Sequence, residues 1–206
     1  MMNKRSIKER IVEAALDLFQ QEGYHGVTVE KIVAAAQTSK GGFYHHFKSK
    51  GDLLYEIHDV FISYVLQETT REMAKYTSSI DQMYALMKTF MQAFNIYQRH
   101  ITVFYNESVY LSEQQEAVIE KKRTQYQRNL ERILATGQAQ GVFRKELSVT
   151  MTALLIIGTV NWTYKWYKQD GPLSMHDITK YFNDVLLRGV MTQAGYEEAI
   201  QKQYLL

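Results

Sequence analysis

The stretch TVEKIVAAAQTSKGGFYHHFKSK, Thr28 to Lys50, decides how this chain is read. Thr28 is placed to cap a short helix whose Val29, Ile32 and Val33 face inward and which ends in Ala34, Ala35 and Ala36, small enough to let a neighbouring helix approach. Gln37 and Thr38 form a turn, and Ser39 caps a second short helix through Lys40, Gly41, Gly42, Phe43, Tyr44 and His45. Two short helices joined by a tight turn, with lysines on both sides of a Tyr-His-His cluster, are the sequence form of a DNA-reading helix-turn-helix. Adjacent glycines inside a helix cost about 1 kcal/mol each relative to alanine. They are expected where the backbone must come close to another surface, and the major groove is such a surface.

Working outward, Ser6 suits the N-cap of a helix carrying Ile7, Ile11, Ala14, Ala15, Leu18 and Phe19, and Gly23 stops it. Beyond the quoted stretch the chain reads as long amphipathic helices with serine starts. One runs from Ser49 to about Lys75, a second is opened by Ser79 with Gln82, and a third is opened by Ser112 with Gln115 and ends near Gly141. Ser148 begins Val149 to Tyr167, Ser174 to about Thr192 follows, and Asp170-Gly171-Pro172 between them predicts an antiparallel pair. With 1 proline and 11 glycines there is too little punctuation for hairpins and βα turns. The expected fold class is therefore all-α, with a three-helix helix-turn-helix domain over residues 1–50 and a helical domain over 51–206.

Composition narrows the function classes. At 206 residues and 46% hydrophobic content the chain can build a real core, so disorder is not expected. The absence of cysteine excludes disulfides, thiolate zinc sites and cysteine nucleophiles. The first ten residues carry charge with no apolar run after them, unlike a signal peptide. The longest apolar run, Met151 to Val160, is half of the ~20 residues a membrane span needs. A soluble cytoplasmic protein without membrane partners is the expectation. Net charge is +2, but residues 1–50 hold eight Lys/Arg against five Asp/Glu while the remainder holds sixteen against seventeen. The basic excess coincides with the helix-turn-helix.

Residues 6 to 54 resemble the N-terminal DNA-binding domain of the TetR family of bacterial repressors. The resemblance rests on the run A-x-x-L-F-x-x-x-G-Y-x-x-x-T-V-x-x-I from Ala15 to Ile32, then S-K-G-G-F-Y-H-H-F-K-S-K-x-x-L-L from Ser39 to Leu54. It implies a homodimer on a palindromic double-stranded operator, each subunit placing its third helix in the major groove, and a C-terminal helical domain that binds a small ligand and dimerises. It further implies that Thr28, Tyr44 and Lys50 meet phosphates, and that Ser39, Lys40, Gly41, Gly42 and His45 stand at the DNA. Lys40 can donate to guanine O6 or N7. Phe43 and Phe47 are expected in the core, and adjacent His45 and His46 point too far apart to share a metal. Gln37 stands where the family has glycine, so a non-glycine residue is expected at positive φ. Gly42 replaces a Thr or Ser of the family.

For the second domain, Met83, Met87, Phe90, Met91 and Phe94 form a stripe expected to face Phe104, Tyr105, Val109 and Tyr110 as the wall of an adaptable apolar pocket. Glu107 and Trp162 join these pocket candidates. The segment Gly158 to Val190 is similar to the C-terminal helix pair of TetR-type regulators of fatty-acid, branched-chain and steroid catabolism, whose members respond to acyl-CoA thioesters. That similarity implies a hydrophobic effector of the acyl-CoA class. Arg99, His100, Lys121, Lys122, Arg123 and Arg128 are the cations available for its phosphates. Asn161, Trp162 and Trp166 suit helix packing and dimer contacts, and Tyr181, Val185 and Leu186 join Trp166 as interface candidates.

The alternative reading is a TetR-type regulator of a multidrug efflux pump, its aromatic pocket and Glu107 receiving a cationic drug. An enzyme is not expected. The chain has no nucleophile elbow, metal-ligand spacing or glycine-rich phosphate loop, and it implies no cofactor.

Overall fold

The computed structural model describes residues 6–168 and 170–206. Helices α1 (Ile7–Gly26), α2 (Val29–Ala35), α3 (Lys40–His46) and α4 (Lys50–Met73) are followed by α5 (Ser79–Asn106), a 3-10 turn at Ser108–Tyr110, and α6 (Glu113–Gln140). The chain continues through α7 (Val149–Asn161), α8 (Thr163–Trp166), α9 (Met175–Val190) and α10 (Gln193–Gln201). Among the described residues the only β pairing is the isolated bridge between Phe143 and Met191. The all-α expectation holds.

The helix starts follow the capping chemistry read from the sequence. Ser6 and Glu9 form a capping box at α1, and Thr28, Ser39 and Ser148 each accept a backbone N–H in the first turn of their helices. Ser112 and Gln115 exchange bonds reciprocally at the start of α6. At α5 the cap is one residue earlier than expected. Ser78, not Ser79, accepts the Ile80 N–H, and Gln82 reaches back to the Met73 and Tyr76 carbonyls. Gly23 interrupts α1 at φ 70°, a conformation glycine adopts without a Cβ clash. The predicted helix from Val149 to Tyr167 is divided at Trp162 into α7 and α8, and α10 was not foreseen.

The chain forms two compact units. One comprises the residues up to Ile62 together with Tyr97–Glu120, the other Ser63–Ile96 with Lys121–Leu206. The core of the first gathers Ile11, Leu16, Phe19, Ile32, Phe43, Phe47, Leu53, Leu54, Ile57 and Val103. Phe43 and Phe47 are buried as expected, their rings 5.7 Å apart. In the second unit Met83, Met87, Phe90, Met91 and Phe94 are buried on α5, and Phe90 touches Tyr126 of α6. Its C-terminal segment is docked. Tyr204 stacks on Tyr84 with ring centroids 3.9 Å apart and donates to Asp81, which also pairs with Lys202.

Candidate nucleic-acid interface and effector site

Burial of Phe43 and Phe47 turns the opposite side of α3 outward, and Lys40, Gly41, Tyr44 and His45 are exposed there, Tyr44 at 54%. Thr28 and Ser39 sit at the starts of α2 and α3. Thr28 Oγ1 accepts the Lys31 N–H at 3.3 Å and Ser39 Oγ the Gly42 N–H at 3.0 Å. The Ser39 hydroxyl retains its proton for another acceptor, whereas that of Thr28 is directed to the Glu30 carboxylate. His45 and His46 are exposed with ring centroids 4.9 Å apart, and no cluster of metal-ligating side chains occurs among the described residues. Gln37 has φ 49°, the positive value expected of it.

The two glycines of α3 have different reasons. A Cβ at Gly42 would lie 2.5 Å from Thr38 Oγ1, so any larger residue there obliges the Thr38 side chain to turn aside. A Cβ at Gly41 would meet only Ser39 Oγ, at 3.7 Å. The close-approach argument therefore rests on Gly41, where nothing within the chain opposes a side chain.

Lys50 departs from its expected role. Its ammonium donates to the Tyr24 and Val27 carbonyls, both at 2.7 Å, and lies 4.0 Å from the centre of the Tyr24 ring. Burial lowers its pKa. Two of its three N–H groups hold the turn between α1 and α2, leaving one for any phosphate.

Lys40 is paired with Glu30 at 2.5 Å, a partner the sequence reading overlooked. The Lys40 ammonium and the Thr28 hydroxyl beside the Glu30 carboxylate lower its pKa to about 2, and the same pair raises that of Lys40. An acidic residue in the first turn of α2, within an otherwise basic stretch, was the available signal.

The pocket wall drawn from the sequence is divided. The stripe on α5 belongs to the second unit, whereas Phe104, Tyr105, Glu107 and Tyr110 belong to the first. Phe104 lies against His58 and Phe61, and Tyr105 against Phe104. Tyr110 stacks on Tyr24 at 5.1 Å, and Val109 is exposed. Glu107 accepts the Tyr24 backbone N–H at 3.3 Å, so the acid invoked for a cationic drug serves the broken end of α1. Arg99 is committed to Glu13 and Asp17, and Lys122 donates to Ser63. These groups were spread along the sequence, and only packing divides them between units.

In the second unit the other side of α5 borders a cleft of about 570 Å³ with α4. Tyr64, Arg71, Tyr84, Lys88, Thr89 and Tyr204 are among its walls. Two polar groups missed by the sequence reading lie buried in this unit: both side-chain polar atoms of Asn183 on α9, and the Thr163 hydroxyl on α8, have no hydrogen-bond partner among the described residues.

α7 and α9 pack together and carry an outward apolar surface. Met151, Leu154, Leu155 and Trp162, and on α9 Tyr181 and Val185, are exposed, Trp162 at 61%. Trp166 is exposed at 40% and touches Phe182, while Leu186 is half-buried. Gly158 and Gly189 stand on exposed positions with open space where a Cβ would go.

No helix among the described residues is long and apolar enough to cross a membrane. Residues 11–57 match the family model of bacterial regulatory proteins of the tetR family, and residues 76–190 match the tetracyclin repressor-like C-terminal domain. The transcriptional repressor KstR2 of Mycolicibacterium smegmatis is 26% identical over 195 residues, covering 94% of this chain and 95% of its relative. The crystal structure of the TetR family regulator PfmR from Thermus thermophilus superposes with a TM-score of 0.81 at 26% identity, over 87% of this chain and 97% of the other. AibR, solved in complex with isovaleryl coenzyme A and operator DNA, has the same fold, with a TM-score of 0.74 at 24% identity over 84% and 94% of the two chains. An N-terminal helix-turn-helix unit, an all-helical body and two family models that together span most of the chain make it a member of the TetR family of DNA-binding transcription regulators.

Proposed function

We propose that the protein is a homodimeric repressor that holds a palindromic operator through α3 and releases it when a hydrophobic effector, an acyl-CoA thioester, enters residues 51–206. Residues 1–50 are the DNA-binding domain in this reading. The observation that carries it is the outward side of α3, where Lys40, Gly41, Tyr44 and His45 are exposed on a helix capped by Ser39, with Thr28 capping α2 before it. Helix starts offer N–H groups and a positive dipole end to phosphates, and exposed side chains at the start of α3 can reach base edges.

The apolar surface of α7 and α9 supports dimerisation. Glycine on an exposed helix face costs about 1 kcal/mol against alanine, and neither Gly158 nor Gly189 is needed by a neighbour within the chain. Both are accounted for if a second copy packs closely at Leu155, Trp162, Trp166, Tyr181 and Val185. Recognition helices in such a dimer must stand about 34 Å apart, one turn of DNA. An effector that favours another spacing weakens binding by its own preference for that state, about 1–3 kcal/mol.

The effector class is supported by the similarity to a KstR2 repressor and by AibR, a protein of this fold solved with an acyl-CoA and DNA together. Asn183 and Thr163 are candidate polar contacts, since a buried amide and hydroxyl without partners are costly unless a ligand completes them. The test is a gel-shift titration on DNA upstream of the protein's own gene, with butyryl-, octanoyl- and palmitoyl-CoA and a lipophilic cation as separate arms. Release by one chain length supports the reading. Release by the cation alone moves the effector to the drug class, and light scattering that shows a monomer removes the dimer.

A further inference from the structure

The Glu30–Lys40 pair places a carboxylate among the residues assigned to DNA. Glu30 is the second residue of α2 and Lys40 the first of α3, with Glu30 Oε1 2.5 Å from Lys40 Nζ. Both side chains are about three-fifths exposed, at 62% and 60%, so the pair is solvated and contributes little to stability. Thr28, a phosphate candidate, hydrogen-bonds the same carboxylate, whose pKa of about 2 keeps it ionised at any physiological pH.

A fixed negative charge at this place opposes every duplex, because the phosphate backbone supplies most of the sequence-independent affinity. A protein tuned for affinity alone would carry a neutral or basic residue there. The charge becomes useful if it discriminates. In the major groove a carboxylate can accept from the cytosine N4 amino group, whereas guanine O6 and N7 and thymine O4 offer it only other acceptors, and adenine sets an N7 acceptor beside its N6 amino group. Lys40, beside it, has the opposite preference and donates to guanine.

We propose that Glu30 is a sequence-specificity residue: its carboxylate accepts from a cytosine amino group next to the guanine read by Lys40, and repels duplexes that lack it. This rests on α3 being the DNA-reading helix. Specificity is a difference of affinities, and here the repulsive half of that difference is built into α2.

The experiment is in vitro selection from a randomised double-stranded DNA library with the wild-type full chain, Glu30→Gln and Glu30→Ala, followed by fluorescence anisotropy on the selected duplex and a scrambled one. Wild type is expected to select a motif with one C·G pair per half-site that Glu30→Ala reads as any base and that Glu30→Gln no longer restricts to C·G. Both variants should bind the scrambled duplex more tightly, and the ratio of specific to non-specific affinity should fall about tenfold or more, within the range for one lost base contact. Variant motifs identical to the wild type at every position, with an unchanged ratio, overturn the role of Glu30 while leaving α3 as the reader. A wild-type chain that selects no motif overturns the DNA reading itself and this inference with it.

Discussion

The Arg99 guanidinium donates through Nη1 to Glu13 Oε2 at 2.5 Å and through Nη2 to the Glu13 main-chain carbonyl at 2.8 Å, and the same group pairs with Asp17. Arg99 lies just beyond a kink in α5 at Tyr97, which has φ −120° and ψ 25°. One planar fork thus ties the final turns of α5 to α1. Arg99→Ala should lower stability by about 1–2 kcal/mol in urea unfolding, the scale of charged hydrogen bonds with partial exposure discounted. Arg99→Lys should recover little, because an ammonium cannot reproduce the fork. Equal stability of Arg99→Lys and wild type would show that charge alone suffices.

Lys50 closes the turn between α1 and α2 through two carbonyls. Lys50→Met should cost about 1–3 kcal/mol, since it leaves both carbonyls without their partner. A residue that served only a phosphate would leave the melting temperature unchanged and reduce the salt slope of DNA binding by about 1. Thermal melts beside salt titrations separate the two roles.

Burial lowers the pKa of His100 to about 4, against a raising contribution from Glu13 and with Arg99 adding to the fall. The unfolded chain, with a histidine pKa of about 6.5, binds more protons between these values. Stability is therefore fully present above pH 6.5 and falls as pH drops towards 4, by about 1–3 kcal/mol for a shift of this size. His100→Gln should flatten that window in denaturant unfolding followed against pH. An unchanged slope would assign the acid sensitivity to other groups.

Asn183 leaves its whole amide buried without a partner among the described residues. A leucine of similar size removes that cost, so Asn183→Leu should raise the melting temperature of the effector-free protein, with a gain of about 1–2 kcal/mol. The same variant should lose release by the acyl-CoA that acts on wild type. A fall in melting temperature with release intact would mean that a buried water completes the amide as part of the fold.

Local signals carried far along this chain. Ser6, Thr28, Ser39, Ser112 and Ser148 announced their helices because a cap is decided within four residues. Phe43 and Phe47 announced the core face of α3 by spacing alone. Ser78 displaced Ser79 as a cap because two adjacent serines offer the same chemistry and the approach of the chain chooses between them. Trp162 interrupted a predicted helix that has no proline or glycine at the break.

Helical periodicity, caps and the motif from Thr28 to Lys50 determined an all-helical regulator with its reader at the N-terminus, because each depends on neighbours a few residues apart. Tertiary structure alone decided that Lys50 spends most of its ammonium within the reader, that Glu30 meets Lys40, that Glu107 serves Tyr24, and that the expected pocket wall is divided between two units. The physical reason is that a charged or polar side chain takes whichever partner packing brings within about 3 Å. Those partners stood 10 to 83 residues away in sequence, beyond the reach of any local pattern.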